Sequence, residues 1–178
     1  MWLISHSHDS ASRPAQFLQE NIELLPKGCA LDVAMGNGQN AIYLARMGFE
    51  VEGVDASAEA AHNALEAAQR AGVTLRAEIA DLERNYLIKK STYDVIICFR
   101  YLQRSLIPQI KDGLRKGGMI VYETFTVDQV QFGRPKNPDY LLEPNELLDM
   151  FRDFRCILYQ EGIVDNRKAV ARTIAEKL

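Results

Sequence analysis

The run Tyr93-Asp94-Val95-Ile96-Ile97-Cys98-Phe99 is almost unbroken in apolar and β-branched side chains. A strand with one wet face alternates polar and apolar residues. A strand without that alternation is covered on both faces, as in the interior of a parallel sheet. Parallel neighbours need crossover connections, so helices must alternate with strands elsewhere in the chain.

They do. Residues 29–33 form a short apolar strand that meets a glycine-containing turn, then a helical pattern through Ala41, Leu44 and Ala45 that stops at Gly48. Residues 49–54 read as the next strand, and Ser57 caps an alanine-rich helix that runs to Ala71 before Gly72 ends it. Residues 73–79 are a third strand, followed by a polar connection through Asp81, Glu83 and Arg84. After the central run, residues 108–114 form a helix, Lys116-Gly117-Gly118 a tight turn and residues 119–125 a fifth strand. Upstream, Ser12 can cap a helix bearing Ala15, Leu18, Ile22 and Leu25, which ends near Pro26-Lys27-Gly28.

The alternation breaks in a loop over residues 126–143, which contains Gly133, Pro135 and Pro138; Pro144 then opens a short helix to about Arg152. Two last strands, 155–163 and 168–174, are joined so closely by Val164-Asp165-Asn166-Arg167 that they must be antiparallel. No repeat, low-complexity tract or linker divides the chain, and 178 residues is the size of a single domain.

Charge narrows the partners. A formal net charge of -3 and a pI of about 5.7 supply no positive field for nucleic acid or an anionic membrane, so a small-molecule substrate is expected. Mean hydropathy is -0.18, no apolar run is long enough to cross a bilayer, and the start lacks the pattern of a secretory signal, which points to the cytoplasm. Cys29, Cys98 and Cys156 lie far apart in strand-like contexts and read as buried structural thiols, not as a disulfide framework or a zinc site. The sequence sets no oligomeric state.

A strand that ends in Asp32 and passes through Gly36 and Gly38 into a helix brings backbone close to a bound cofactor. Gly36-Asn37-Gly38-Gln39-Asn40-Ala41 fits the dinucleotide pattern G-x-G-x-x-G/A, and Asp55 follows at about the 20-residue interval of a ribose-binding acid. These residues alone leave NAD and S-adenosylmethionine open, since both carry a ribose. Asp81 beyond the third strand, placed to accept from an adenine amine while Leu82 packs on the ring, and the terminal antiparallel pair favour the second.

In order, Leu31-Asp32-Val33-Ala34-Met35-Gly36-Asn37-Gly38, Val54-Asp55, Ala80-Asp81-Leu82, Tyr93-Asp94-Val95-Ile96 and Leu114-Arg115-Lys116-Gly117-Gly118-Met119-Ile120 resemble the class I S-adenosylmethionine-dependent methyltransferases, over most of the chain. The resemblance implies a Rossmann-like three-layer α/β sandwich, its seven-stranded, mostly parallel sheet ordered 3-2-1-4-5-7-6 with the last strand antiparallel. It also implies roles. Asp32, Gly36 and Gly38 would flank the methionine part of the cofactor, Asp55 would hold the ribose hydroxyls, and Asp81 with Leu82 would contact adenine. Phe99 and Arg100 would line the site after the fourth strand, and Ala34, Asn40 and Ala56 complete the cofactor set. Ala34 stands where the family pattern has its first glycine, which is tolerated if φ stays below zero there.

The acceptor should meet the segments after the fourth and fifth strands, where Tyr101, Arg104, Glu123, Phe132, Arg134 and Tyr140 are the candidate lining residues and residues 126–143 a lid. Tyr122 and Thr124 are further candidates to face this pocket. No catalytic acid or base is assigned: methyl transfer to a soft nucleophile needs alignment and exclusion of water. His6, His8 and His62 read as solvated or structural, and no metal site is expected. Asp94, at the start of its strand, reads as structural. Residues 36–45 and Tyr122-Glu123-Thr124-Phe125 look most like the tellurite-resistance and thiopurine branch, which implies a small, soft or anionic acceptor. The alternatives are a cofactor-binding regulatory protein without catalysis and an NAD-linked oxidoreductase, the latter needing a hydride-site group that is not evident.

Overall fold

The computed structural model describes residues 13–84 and 86–178. Its strands are β1 (Cys29–Val33), β2 (Glu50–Asp55), β3 (Leu75–Ile79), β4 (Tyr93–Phe99), β5 (Leu114–Phe125), β6 (Arg155–Val164) and β7 (Lys168–Glu176). Its helices are α1 (Gln16–Glu20), α2 (Gln39–Arg46), α3 (Ala58–Arg70), α4 (Ile107–Gly113) and α5 (Glu146–Met150). The strands form one seven-stranded sheet of order β3-β2-β1-β4-β5-β7-β6, in which β7 runs antiparallel to both neighbours and the other pairs are parallel. This is the class I methyltransferase topology.

The central run behaves as its composition requires. Val95, Ile96, Ile97 and Cys98 are fully buried, alternately against two layers. Phe17 and Leu18 of α1, Ala41 and Leu44 of α2 and Ala61, Ala64 and Ala68 of α3 cover one face. Ile107 and Ile110 of α4, Leu147 of α5, Phe151, Phe154 and the segment of Leu82, Tyr86 and Ile88 cover the other. Each fully buried aliphatic side chain contributes on the order of 1.5–3 kcal/mol. The three alanines of α3 let that helix lie close to the sheet.

Several element ends differ from expectation. The capping role of Ser12 and the positions of His6 and His8 lie outside the described residues. Within them α1 is a single turn, continued by a 3-10 turn at Ile22–Leu24. β5 begins at Leu114, because Gly117 and Gly118 are absorbed into the strand, where Lys177 donates to the Gly118 carbonyl. α5 ends at Met150, shorter than the 144–152 span, and residues 126–143 contain 3-10 turns at Val127–Gln131 and Pro138–Tyr140. Among the described residues no helix is long and apolar enough to cross a membrane.

Only Cys98 of the cysteines is buried; Cys156 is exposed and Cys29 partly so. Cys156 lies on β6, an edge strand without a covering layer at that end, which periodicity alone does not reveal. Asp94 has the structural place expected of it. Its carboxylate accepts from the Cys29 amide at 2.8 Å and pairs with Arg115 at 2.9 Å, tying the amino ends of β1 and β4 to β5.

Candidate cofactor and acceptor site

The parallel strands deliver Asp32, Asp55, Phe99 and Glu123 to their carboxyl ends. Asp32, the last residue but one of β1, lies beneath the glycine turn and is 1 % exposed. Burial pushes its carboxyl up to about 8, the Ala41 amide pulls it down and the nearby Asp55 carboxylate pushes it up. Its Oδ2 has no hydrogen-bond partner. A buried, unpartnered carboxyl oxygen is costly unless a ligand supplies a donor.

Asp55 organises the turn beside it. Its Oδ2 accepts from the Gly36 amide and its Oδ1 from the Ser57 amide, both at 2.8 Å, so one side chain links β2 to the loop after β1. Gly36 is left-handed, with φ +54, and a Cβ built there would meet nothing within 4 Å. That position opens onto free space. Gly38 has a different reason: a Cβ there would fall 2.7 Å from the Ala64 Cβ of α3. Its missing side chain serves helix packing.

Ala34 departs from expectation, with φ +56 in the left-handed region. The chain must reverse out of β1 so that the Met35 amide reaches the Val54 carbonyl at 3.0 Å while its side chain packs over Gly53. A non-glycine residue held there costs about 1–2 kcal/mol. Asn40 bonds toward the first helix, its Oδ1 accepting from the Ala15 amide at 2.8 Å. Ala56 is exposed at the end of β2.

Asp81 follows β3 and is half exposed, accepting from the Glu83 amide at 2.9 Å and pairing with Arg84 at 3.5 Å. Leu82 beside it is buried in the core. Tyr101 connects this corner to β4. Burial raises its hydroxyl to about 12, and Glu83, Cys98, Asp81 and Asp55 add to the rise. Asp55, Asp81 and Glu83 all act on the Tyr101 hydroxyl, so carboxylates gather at this edge, with Asp81 partly balanced by Arg84 and the Asp32 carboxyl kept protonated by its burial. Arg100 turns away from β4 with φ +58 and is exposed, its amide donating to the Glu123 carbonyl at 2.8 Å.

On the acceptor side the candidates separate. Phe132 is partly exposed, and Arg134 and Tyr140 are exposed, on a strap over residues 127–141. The Tyr122 hydroxyl donates to the Tyr101 carbonyl at 2.9 Å, below the edge, and Thr124 is buried. Arg104 is exposed yet not free in solvent: it donates to Glu146 and to the carbonyls of Asp139 and Leu141, clamping the strap to α5. Glu123, 4 % exposed, lies between Lys168 at 2.7 Å and Arg172 at 3.5 Å. Those two cations were not singled out from sequence. The available signal is the period of two in β7, where Lys168 and Arg172 share a face and Ala169 and Ala171 point the other way. His62 is exposed on α3 beside Glu66.

Residues 30–118, half of the chain, match a family model described as a methyltransferase domain. Hemagglutinin 1 of Eikenella corrodens is 26% identical over 153 residues, covering 82% of this chain and 50% of that protein. The chain thus spans about half the length of that curated relative. Among solved structures, TehB from Haemophilus influenzae superposes with a TM-score of 0.73 at 18% identity, covering 91% of this chain and 61% of that one. A SAM-dependent methyltransferase from Aquifex aeolicus gives 0.70 at 18% identity, with coverages of 92% and 90%. Geranyl diphosphate C-methyltransferase from Streptomyces coelicolor A3(2), solved with Mg2+, geranyl diphosphate and S-adenosyl-L-homocysteine, gives 0.70 at 15% identity, with coverages of 90% and 79%.

Proposed function

The chain belongs to the methyltransferase domain family, and from that premise we propose that it is an S-adenosylmethionine-dependent enzyme that methylates a small acceptor at the carboxyl edge of β1, β2, β4 and β5. The observation that carries the choice of cofactor is the charge of that edge. Asp55, Asp81 and Glu83 suit a ligand bearing positive groups and oppose the pyrophosphate of a dinucleotide, and the buried Asp32 carboxyl gives up its proton when an ammonium group meets it.

The chain's residues fit that ligand. The Asp32 Oδ2 is the acceptor that an α-ammonium group would fill. The open space over Gly36 admits the ligand against bare backbone. Asp55, fixed by the Gly36 and Ser57 amides, keeps lone pairs for two ribose hydroxyls. Asp81 accepts from the adenine amine beside Leu82, and Phe99 with Arg100 closes the β4 side. When bound, S-adenosylmethionine supplies an electrophilic sulfonium methyl group.

For transfer, the protein aligns the acceptor in line with that methyl and excludes water. The strap bearing Phe132, Arg134 and Tyr140, anchored by Arg104, serves that end, and Tyr101 and Glu123 border it. A soft, chalcogen-type acceptor is the finer reading, supported by the resemblance of residues 36–45 and 122–125 to the tellurite and thiopurine branch and by the likeness in fold to TehB.

Calorimetric titration of the purified protein with S-adenosylmethionine and with NAD tests the cofactor. Saturable heat from the first alone is expected, and the reverse pattern would sink the reading. Turnover against thiols, tellurite, selenite and small acids, with the methylated product read by mass, then identifies the acceptor.

A further inference from the structure

The Glu123, Lys168 and Arg172 group is out of charge balance. One carboxylate, with its side chain 5% exposed, faces two cations whose side chains are 31% and 14% exposed. Among the described residues no other carboxylate pairs with either cation. Arg172 is otherwise held by neutral groups: it donates to the Gln160 side chain and lies over the Phe17 ring, 4.9 Å from its centroid. The Lys168 ammonium has three donors, and its hydrogen bond goes to Glu123 Oε1. Glu123 and Arg172 are largely dry while Lys168 is about a third exposed, so the net positive charge opens to solvent at Lys168, where a further anion can complete it.

Its position is equally specific. Glu123 pairs in register with Phe99 on β4 and with Arg172 on β7, on the sheet face that also carries Asp32. The group therefore lies at the carboxyl edge on the far side of β4 from Asp32. The Thr126 amide donates to the Ala169 carbonyl and Gln129 accepts from the Ala169 amide, so the strap starts directly beside Lys168. The negative half of the edge and this positive half divide the site in two.

We infer that Lys168 and Arg172 form an anion subsite that binds the negatively charged group of the methyl acceptor, a small carboxylate or oxyanion, with Glu123 as the internal counter-ion that holds the two cations in place. This rests on the reading of the edge as a methyl-transfer site. The acceptor's charge makes a two-against-two arrangement with Glu123. Its nucleophilic atom then lies toward Phe99 and the cofactor half. The electronegative half repels the same anion, so the acceptor binds in one orientation.

Acetate, benzoate, selenite and inorganic phosphate are the probes, titrated by calorimetry at constant ionic strength, with and without saturating S-adenosylmethionine. Carboxylates and oxyanions are separate arms. Saturable binding of at least one arm is expected, compatible with cofactor. Lys168→Met, at a position about a third exposed, should weaken it about tenfold or more, leaving cofactor affinity unchanged. Glu123→Gln should tighten it several-fold, because the internal competitor is gone. An ordinary structural ion pair would not move anion affinity in opposite directions. Absence of saturable anion binding, or an unchanged affinity in Lys168→Met, overturns the subsite. Failure of S-adenosylmethionine to bind while anions bind normally overturns the cofactor reading instead.

Discussion

The Arg104 guanidinium meets the Glu146 carboxylate with two parallel hydrogen bonds, Nε to Oε1 at 2.5 Å and Nη2 to Oε2 at 2.9 Å. It also donates to the carbonyls of Asp139 and Leu141, each at 2.9 Å, while Glu146 accepts from the Glu143 amide at 2.8 Å. The bond to Glu146 holds the guanidinium charged, and the same bond holds the Glu146 carboxyl below its usual range. The end of the strap is thereby fixed by a planar fork that lysine cannot reproduce.

Arg104→Lys should therefore loosen the strap without unfolding the sheet. Lost charge-assisted bonds to backbone amount to about 1–2 kcal/mol of local stability. Hydrogen exchange should accelerate over residues 131–142 and remain unchanged in β4. Equal protection of the strap in both proteins would show that Arg104 does not anchor it.

Asp55→Ala removes the acceptor of the Gly36 and Ser57 amides as well as the proposed ribose contact. Two charge-assisted bonds are at stake, so S-adenosylmethionine affinity should fall about 100-fold. Asp55→Asn retains a carbonyl oxygen and should fall less. Calorimetric dissociation constants for the three proteins decide it, and an unaltered affinity in the alanine variant removes Asp55 from the cofactor site.

Asp32 makes stability depend on pH in an unusual direction. Its carboxyl lies near 8 in the folded chain against an ordinary 3.8, so between those values the unfolded chain has lost a proton that the folded chain keeps. Raising pH across that window favours unfolding, by at most about 1.4 kcal/mol per pH unit. The contribution is fully present below the ordinary value and gone above the raised one. Urea unfolding of ligand-free protein at about pH 5, 6.5 and 8 should show this decline, and Asp32→Asn should lack it. A bound ammonium group would favour the carboxylate, so cofactor binding near neutrality should release a proton, seen as a buffer-dependent heat.

Ala34 occupies a left-handed turn at φ +56. Glycine removes that strain but frees the unfolded chain, two effects of about 1 kcal/mol and opposite sign, so Ala34→Gly should change stability little. Ala34→Val places a β-branched side chain there and should cost about 1–3 kcal/mol. Thermal melts of both variants test the difference; equal losses would show that φ is not the constraint.

The sheet was legible because its information is local. Val95 to Cys98 announce a doubly covered strand, Gly48 and Gly72 stop helices, and the turn at 164–167 uses Asp165 and Asn166 at positive φ, as a tight hairpin requires. Asp32, Asp55 and Asp81 could be singled out as candidates because each lies at or just beyond the carboxyl end of a strand. What escaped depends on partners distant in sequence. Arg104 reads as a surface charge until Glu146 is brought to it, and Lys168 and Arg172 gain meaning only from the register of β7 against β5. Ala34 escaped differently, since its φ is set by where Met35 must pack, not by its own propensity.

The strap is joined at its root. The Val127 amide donates to the Leu142 carbonyl at 3.0 Å and the Leu142 amide to the Phe125 carbonyl at 2.9 Å, so the chain leaves and returns at one place. Changing the length of a loop closed in this way costs only slowly growing entropy. Gln129 still holds the Ala169 amide of β7 and Leu141 is buried, so residues 130–140 are the exchangeable cassette: on the proposed reading their sequence can be replaced to suit a new acceptor while the cofactor half of the edge and the sheet stay as they are.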